Sequence, residues 1–288
     1  MVTSHGLELK TMEALNLSKR IESISSEIEI IKKLKTGPVS EIYLCTLRNI
    51  KAVLRVDYSW ASFLPFDRNR EIRIIHGVEH LELAPKILYH DASNGVLIWR
   101  YVEGVEFNFI SGSRADLITG LGMNLIKLHQ SKLPDIDIAS FKTFIAAYEI
   151  LLQEESKETL INKGFKLYND ICEDGTDYVL SHNDLNKSNL LIEDKFYFLD
   201  WEYTGLNHPY FDIATLCHSL NLSDENTQLL WNAYSNDGSL IDVEKLDRWI
   251  LFIQYLDLFW RKSIEKLAPI YKDKMDISAL EKKLSLLS

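Results

Sequence analysis

From Ile28 onward the chain alternates apolar and polar residues in short runs separated by turn formers. Ile28 to Leu34, Glu41 to Leu47 and Ala52 to Val56 read as three strands, and their close spacing predicts a small antiparallel sheet. Ile87 to Tyr89 and Val96 to Trp99 read as two more, with Ser93, Asn94 and Gly95 as the turn between them. Elsewhere the period is helical. Met12, Leu15, Leu17, Ile21 and Ile24 recur at helical spacing, and Ser62 to Leu81 reads mostly as helix with Ile72, Ile75 and Val78 along one side, before Pro85 ends the next segment. From about residue 113 the chain is largely helical, without repeats or low-complexity segments. The change of period near Tyr101 to Gly104 predicts an α+β protein of two lobes: a β-rich one over residues 1–102 and a mainly helical one over residues 103–288.

One hairpin interrupts the helical half. Leu190 to Ile192 and Phe196 to Leu199 are strand-like runs, and Glu193, Asp194 and Lys195 form the turn. Asn189 stands at the start of the first strand and Asp200 at the end of the second, so the hairpin brings them together. Just upstream, Tyr178 to Leu180 lead into the polar turn of His182, Asn183 and Asp184. Phosphoryl transfer from a nucleotide needs such a set: a carboxylate to orient the attacking hydroxyl and accept its proton, and an amide oxygen and second carboxylate to hold magnesium against the phosphates. Asp184 is accordingly the catalytic base, and Asn189 and Asp200 are the Mg2+ ligands, an oxygen pair suited to an ion that keeps phosphates in its shell. Each residue alone would read as an ordinary turn or helix cap.

Bulk properties narrow the partners. A net charge of −10 argues against sequence-independent nucleic-acid binding and is compatible with a cationic substrate, or with solubility alone. No run reaches transmembrane length and no signal-peptide core is visible, so neither membrane insertion nor export is expected. Three scattered cysteines, Cys45, Cys172 and Cys217, lack zinc spacing and read as reduced, buried thiols of a cytoplasmic protein. Nothing in the sequence specifies an oligomeric state.

The segments HNDLNKSNLL and FLDWEYTGLNHPYFDIA resemble the choline/ethanolamine kinases and the wider aminoglycoside phosphotransferase group, above all bacterial choline kinases, where DWEY is followed by a polar turn, Pro, an aromatic and Asp. Here that continuation is Asn207, His208, Pro209, Tyr210, Phe211 and Asp212, and the resemblance runs from about residue 28 to about residue 265. It implies a protein-kinase-like fold that uses ATP and Mg2+. It places a phosphate-covering loop over Lys35 to Tyr43, with Gly37 and Ser40 nearest the phosphates. The loop departs from the usual two glycines and an Asn: Pro38 lacks a donor, and Glu41 would repel phosphate if it pointed inward. As a bare pattern it reads equally as a hairpin turn. Arg55 takes the place of the cation that reaches the α- and β-phosphates, with Glu71 as its anionic partner and Asp67 as a weaker one. Trp99 and Tyr101 lie in the hinge that offers backbone groups to adenine.

In the other half the resemblance assigns His182 to ordering the catalytic loop by hydrogen bonding, and Asp212 to accepting bonds from that loop's backbone. Glu202 would assist the metal or attract a cationic head group, or else be a surface carboxylate paired with Arg or Lys. Trp249, Phe252, Tyr255, Phe259 and Trp260 lie on one helix; Tyr255 and Trp260 are the pocket candidates, with Asp257 for charge, and the rest read as core. The family's second helix tryptophan falls on Ser263. The expected function is a kinase of a small alcohol, with choline the leading acceptor and ethanolamine, thiamine or an aminoglycoside as alternatives. An inert pseudokinase is the reading of another class, motivated by the reduced loop. A protein kinase fits poorly, because only eleven residues separate Asp200 from Asp212.

Overall fold

The computed structural model describes residues 17–22, 24, 27–107, 114–133, 136–155 and 159–287. Of the expected first helix, residues 17–22 are helical, and residues 12–16 lie outside the described residues. Strands β1 (Ile28–Thr36), β2 (Ser40–Leu47) and β3 (Ile50–Asp57) are followed by helix α1 (Arg68–Gly77) and then β4 (Ile87–Asp91) and β5 (Val96–Arg100). All five pair antiparallel in the order β1-β2-β3-β5-β4, so β3, which carries Arg55, runs through the middle. Gly95 closes the β4–β5 turn at φ +62°, and a Cβ there would meet the Asp57 side chain at 2.8 Å.

The expected long helix over Ser62 to Leu81 is broken. A 3-10 turn occupies Ser59–Phe63, and α1 begins only after Asp67, whose carboxylate caps it by accepting from the Arg70 N–H at 3.0 Å. Asp67 is thus a cap and not the partner of Arg55.

The remainder is mainly helical: β6 (Val105–Glu106), α2 (Arg114–His129), α3 (Phe141–Leu151), α4 (Thr159–Cys172), β7 (Val179–Ser181), β8 (Leu190–Ile192), β9 (Phe196–Phe198), β10 (Gly205–Asn207), α5 (Tyr210–Ser219), α6 (Asp224–Ser235), α7 (Val243–Leu267) and α8 (Ile277–Leu287). The β8–β9 hairpin forms, joined by β6, and β7 pairs with β10. Among the described residues no helix is long and apolar enough to cross a membrane.

Two apolar cores hold these elements, and they interlock. Ile72, Ile74 and Ile75 of α1 sink into the larger, helical core, whereas Ile264 near the end of α7 joins Leu54, Val56 and Ile98 in the core under the sheet. Burial of side chains on both sides of the junction ties sheet and helices together by the hydrophobic effect. A cleft of about 660 Å³ lies between them.

Candidate active site

The catalytic loop is held from below by one buried carboxylate. Asp212, in the first turn of α5 and fully buried, accepts from the His182 N–H at 2.7 Å and the Asn183 N–H at 2.9 Å, and His129 Nε2 lies 3.1 Å from it. Burial pushes its carboxyl up, but these bonds and the neighbouring imidazoles reverse the shift and hold it below the usual range. Asn183 takes a left-handed φ of 64°, which Asn tolerates, and its side chain bridges the Tyr203 carbonyl and the Asn207 amide.

This support turns Asp184 into the cleft. Its Oδ1 accepts from Asn186 at 2.9 Å and its Oδ2 from Asn189 at 2.8 Å. Burial and the nearby Asp200 charge push its carboxyl up to about 7, against those two bonds. Asn189 spends its amide nitrogen on the Asp184 carbonyl and carboxylate, leaving Oδ1 without a partner among the described residues. The Leu199 N–H donates to the Asn189 carbonyl at 2.9 Å, which sets Asp200 beside Asn189 as the hairpin predicts. Asp200 sits at φ 66° with its side chain 42% exposed to the cleft. Among the described residues no group of three or more His, Cys, Asp or Glu forms a metal cage. An Asn and an Asp oxygen are instead the sparse set that magnesium accepts when phosphates complete its shell.

The opposite wall is ionic. Arg55 is buried on β3 and forks onto Glu71 at 2.9 and 2.6 Å, while its Nη1 also lies 3.3 Å from Asp200 Oδ1. Gly37, Ser40 and Trp99 line this end of the cleft. The Gly37 N–H closes the turn onto the Ser40 carbonyl at 2.9 Å, so it is already used; the Pro38 carbonyl accepts from Trp60 Nε1. Glu41 points away from the cleft. Strand alternation puts it on the other face of β2, where Lys33 at 2.7 Å, Tyr43 and Tyr58 hold it.

Several expected placements change. Tyr101 does not line the cleft; it lies under the Lys51 ammonium, 4.0 Å from the ring centroid. Tyr255 is 1% exposed and packs against Gly164 of α4, because α7 turns that face to the core. His182 is fully buried against Trp201, its ring makes no hydrogen bond of good geometry among the described residues, and its backbone N–H donates to Asp212. Burial holds its imidazole below the ordinary range, against the pull of Asp212, Asp200 and the Leu199 carbonyl. Glu202 borders the cleft but is not a surface residue: its Oε2 is 2.6 Å from Arg68 Nη1. Burial and Asp200 push its carboxyl up against the pull of the two arginines. Asp257 is already forked by Arg261 at 2.9 Å.

Trp260 does face the cleft, and sequence reasoning missed its companions. Tyr203 lies 6.4 Å from it between ring centroids, and the Tyr148 hydroxyl meets that of Tyr203 at 2.9 Å. Gln254 lines the same end, 7% exposed, with Nε2 on the Ile250 carbonyl and Oε1 without a partner among the described residues. Arg68 was also missed, although an Arg three residues before Glu71 on a helix is a readable ion-pair spacing.

A family model described as choline/ethanolamine kinase matches residues 31–257. The chain belongs to the choline/ethanolamine kinase family. This is a family of phosphotransferases that act on an alcohol. Protein LicA of Haemophilus influenzae is 29% identical over 212 residues, covering 69% of this chain and 61% of that protein, so the chain spans under two thirds of this relative's length. The solved choline kinase LicA from Streptococcus pneumoniae has a TM-score of 0.70 at 19% identity, over 96% of this chain and 99% of that one. A structure of LicA in complex with AMP gives 0.70 at 20%, over 96% and 99%. Spectinomycin phosphotransferase in complex with ADP and spectinomycin gives 0.59 at 13%, over 90% and 88%. At these identities the structures show that this choline/ethanolamine kinase family member has the kinase-like fold.

Proposed function

We propose that this chain transfers the γ-phosphoryl group of ATP, with Mg2+, to the hydroxyl of a small cationic alcohol, and that choline is the acceptor. The observation that carries this is one cleft in which Asp184 stands beside Asn189 and Asp200, between the Arg55 wall and the aromatic wall of Tyr148, Tyr203 and Trp260. Membership of the family supports the reaction class. Bound magnesium would neutralise the phosphates and the carboxylates around Asp200. Asn189 Oδ1, unpartnered among the described residues, and the half-exposed Asp200 carboxylate, which Arg55 meets only at 3.3 Å through Oδ1, are the atoms that would hold it. Asp184 keeps lone pairs beyond its two amide bonds, so it can orient an acceptor hydroxyl and take its proton. Arg55 is placed to meet the phosphates.

At the acceptor end, aromatic faces suit a quaternary ammonium, which offers no N–H donor. Ethanolamine is the second reading, favoured by Gln254, whose buried Oε1, unpartnered among the described residues, would accept from a primary ammonium. We place the lobe boundary at residues 102 and 103 and the protein in the cytoplasm, consistent with three free, buried cysteines.

The test is magnesium-dependent ADP release against choline, ethanolamine, thiamine and a kanamycin-like aminoglycoside. The expected result is release with choline. Release with ethanolamine alone would transfer the assignment to the primary amine. Nucleotide binding without release for any of the four would sink the choline assignment and leave either an acceptor outside the panel or an inert nucleotide-binding protein.

A further inference from the structure

Arg68, the first residue of α1, has no part in the chemistry above, yet it is nearly buried and touches three carboxylates from three elements. Its Nε and Nη2 fork onto Asp57 at the end of β3 at 2.6 and 3.1 Å. Its Nη1 donates to Glu71 at 2.9 Å and to Glu202 at 2.6 Å, and Glu202 is 134 residues away in sequence. Glu71 Oε2 is shared, because Arg55 Nη2 donates to it at 2.6 Å. Glu202 belongs to the 3-10 turn Trp201–Tyr203, whose N-cap is Asp200. Asp200 in turn lies 3.3 Å from Arg55. The contacts therefore close a ring: Asp200 through its own turn to Glu202, then Arg68, Glu71, Arg55, and back to Asp200.

We propose that Arg68 is a positioning residue that latches the strand wall to the metal-binding turn through Glu202, and so sets the separation of Arg55 from Asp200. The latch rests on the nucleotide reading above. Arg55 and Asp200 come from different halves of the molecule, and each must meet the same phosphates and metal ion. Their own contact is long for a charge-assisted bond, whereas the Arg68–Glu202 bond is short and screened from water. Three carboxylates around one planar fork is a geometry that lysine does not reproduce. Glu202 is on this account a latch partner, its carboxylate engaged by protein rather than by the acceptor.

The test uses Arg68→Lys, Arg68→Met, Glu202→Gln and the Arg68→Met/Glu202→Gln double variant. Calorimetric binding of magnesium-ADP, steady-state rates and melting temperature are measured for each. We expect Arg68→Met to weaken magnesium-ADP about tenfold and to lower kcat/KM for ATP about 100-fold, the scale of a 1 Å misplacement, with acceptor KM within about twofold. Glu202→Gln should act in the same sense, the double variant should be no worse than Arg68→Met, and Arg68→Lys should recover part of the loss. Arg68→Lys and Glu202→Gln carry the test if Arg68→Met does not fold. Variants that lose melting temperature but keep wild-type kcat and magnesium-ADP affinity overturn the latch. So does a Glu202→Gln variant that raises only the acceptor KM. A wild-type protein that binds no magnesium-ADP overturns the nucleotide reading, and the latch with it.

Discussion

The two walls of the cleft are built on different physics. The catalytic-loop wall is fixed by short, buried hydrogen bonds onto Asp212 and by the buried or part-buried amide bridges of Asn183. The strand wall is an ionic cluster in which two guanidiniums, Arg55 and Arg68, face four carboxylates, Asp57, Glu71, Asp200 and Glu202. The first arrangement is a set of hydrogen bonds gathered on a single buried charge. The second has more carboxylates than guanidiniums, so a bound cation would balance it. On the proposed reading, one wall carries the base and the other would seat phosphate and metal.

The contrast can be broken most severely at its chemical centre. Asp184→Ala should lower kcat by about 10³-fold while magnesium-ADP binding persists, the scale of a lost general base. Rates and calorimetry on one preparation check it, and near-normal turnover would remove Asp184 from the mechanism. Next in size, Asp212→Ala leaves two buried N–H groups unpaired and should destabilise the fold by about 3–5 kcal/mol, read as a lowered urea midpoint. A change below about 1 kcal/mol would show that the catalytic-loop wall does not depend on that carboxylate.

Trp260→Ala should raise the acceptor KM about tenfold with kcat and ATP KM little changed, since one aromatic face contributes on the order of 1 kcal/mol to a desolvated cation. Loss of melting temperature alone would make Trp260 a core residue. The smallest effect concerns acid. Burial pushes the Glu71 carboxyl up, but Arg55 and Arg68 more than reverse this and leave it at about 2. A depressed carboxyl stabilises the fold above its unfolded value of about 4.3 and loses that contribution as pH falls toward 2. Glu71→Gln should therefore flatten the fall in melting temperature between about pH 5 and pH 2. An acid limb as steep as the wild type's would show that the ionic wall does not titrate as a unit.

Local pattern reached far into this molecule because much of the site is local. Five strands, the 190–199 hairpin and the spacing of Asp184, Asn189 and Asp200 lie in short stretches where side-chain alternation and turn residues decide the backbone. The Arg55–Glu71 pair was legible because a buried cation needs an anion nearby in the fold. The misreadings fall where rotation or distance matters. Helical period marks Tyr255 and Trp260 alike as aromatic, and only the packing of α7 against Gly164 sends the first to the core and leaves the second in the cleft. Tyr148 gives no local signal, since α3 meets Tyr203 only through the fold.

By itself, then, the sequence determined the succession of strands and helices and the local spacing of Asp184, Asn189 and Asp200, because bonding between near neighbours specifies both. Tertiary structure alone decided what holds Glu202 and which aromatics line the cleft. Those outcomes depend on contacts between residues far apart in sequence. The 134-residue span from Arg68 to Glu202 is the clearest of them: nothing near either residue in sequence names the other as its partner, and only the interlocked cores bring the two charges together.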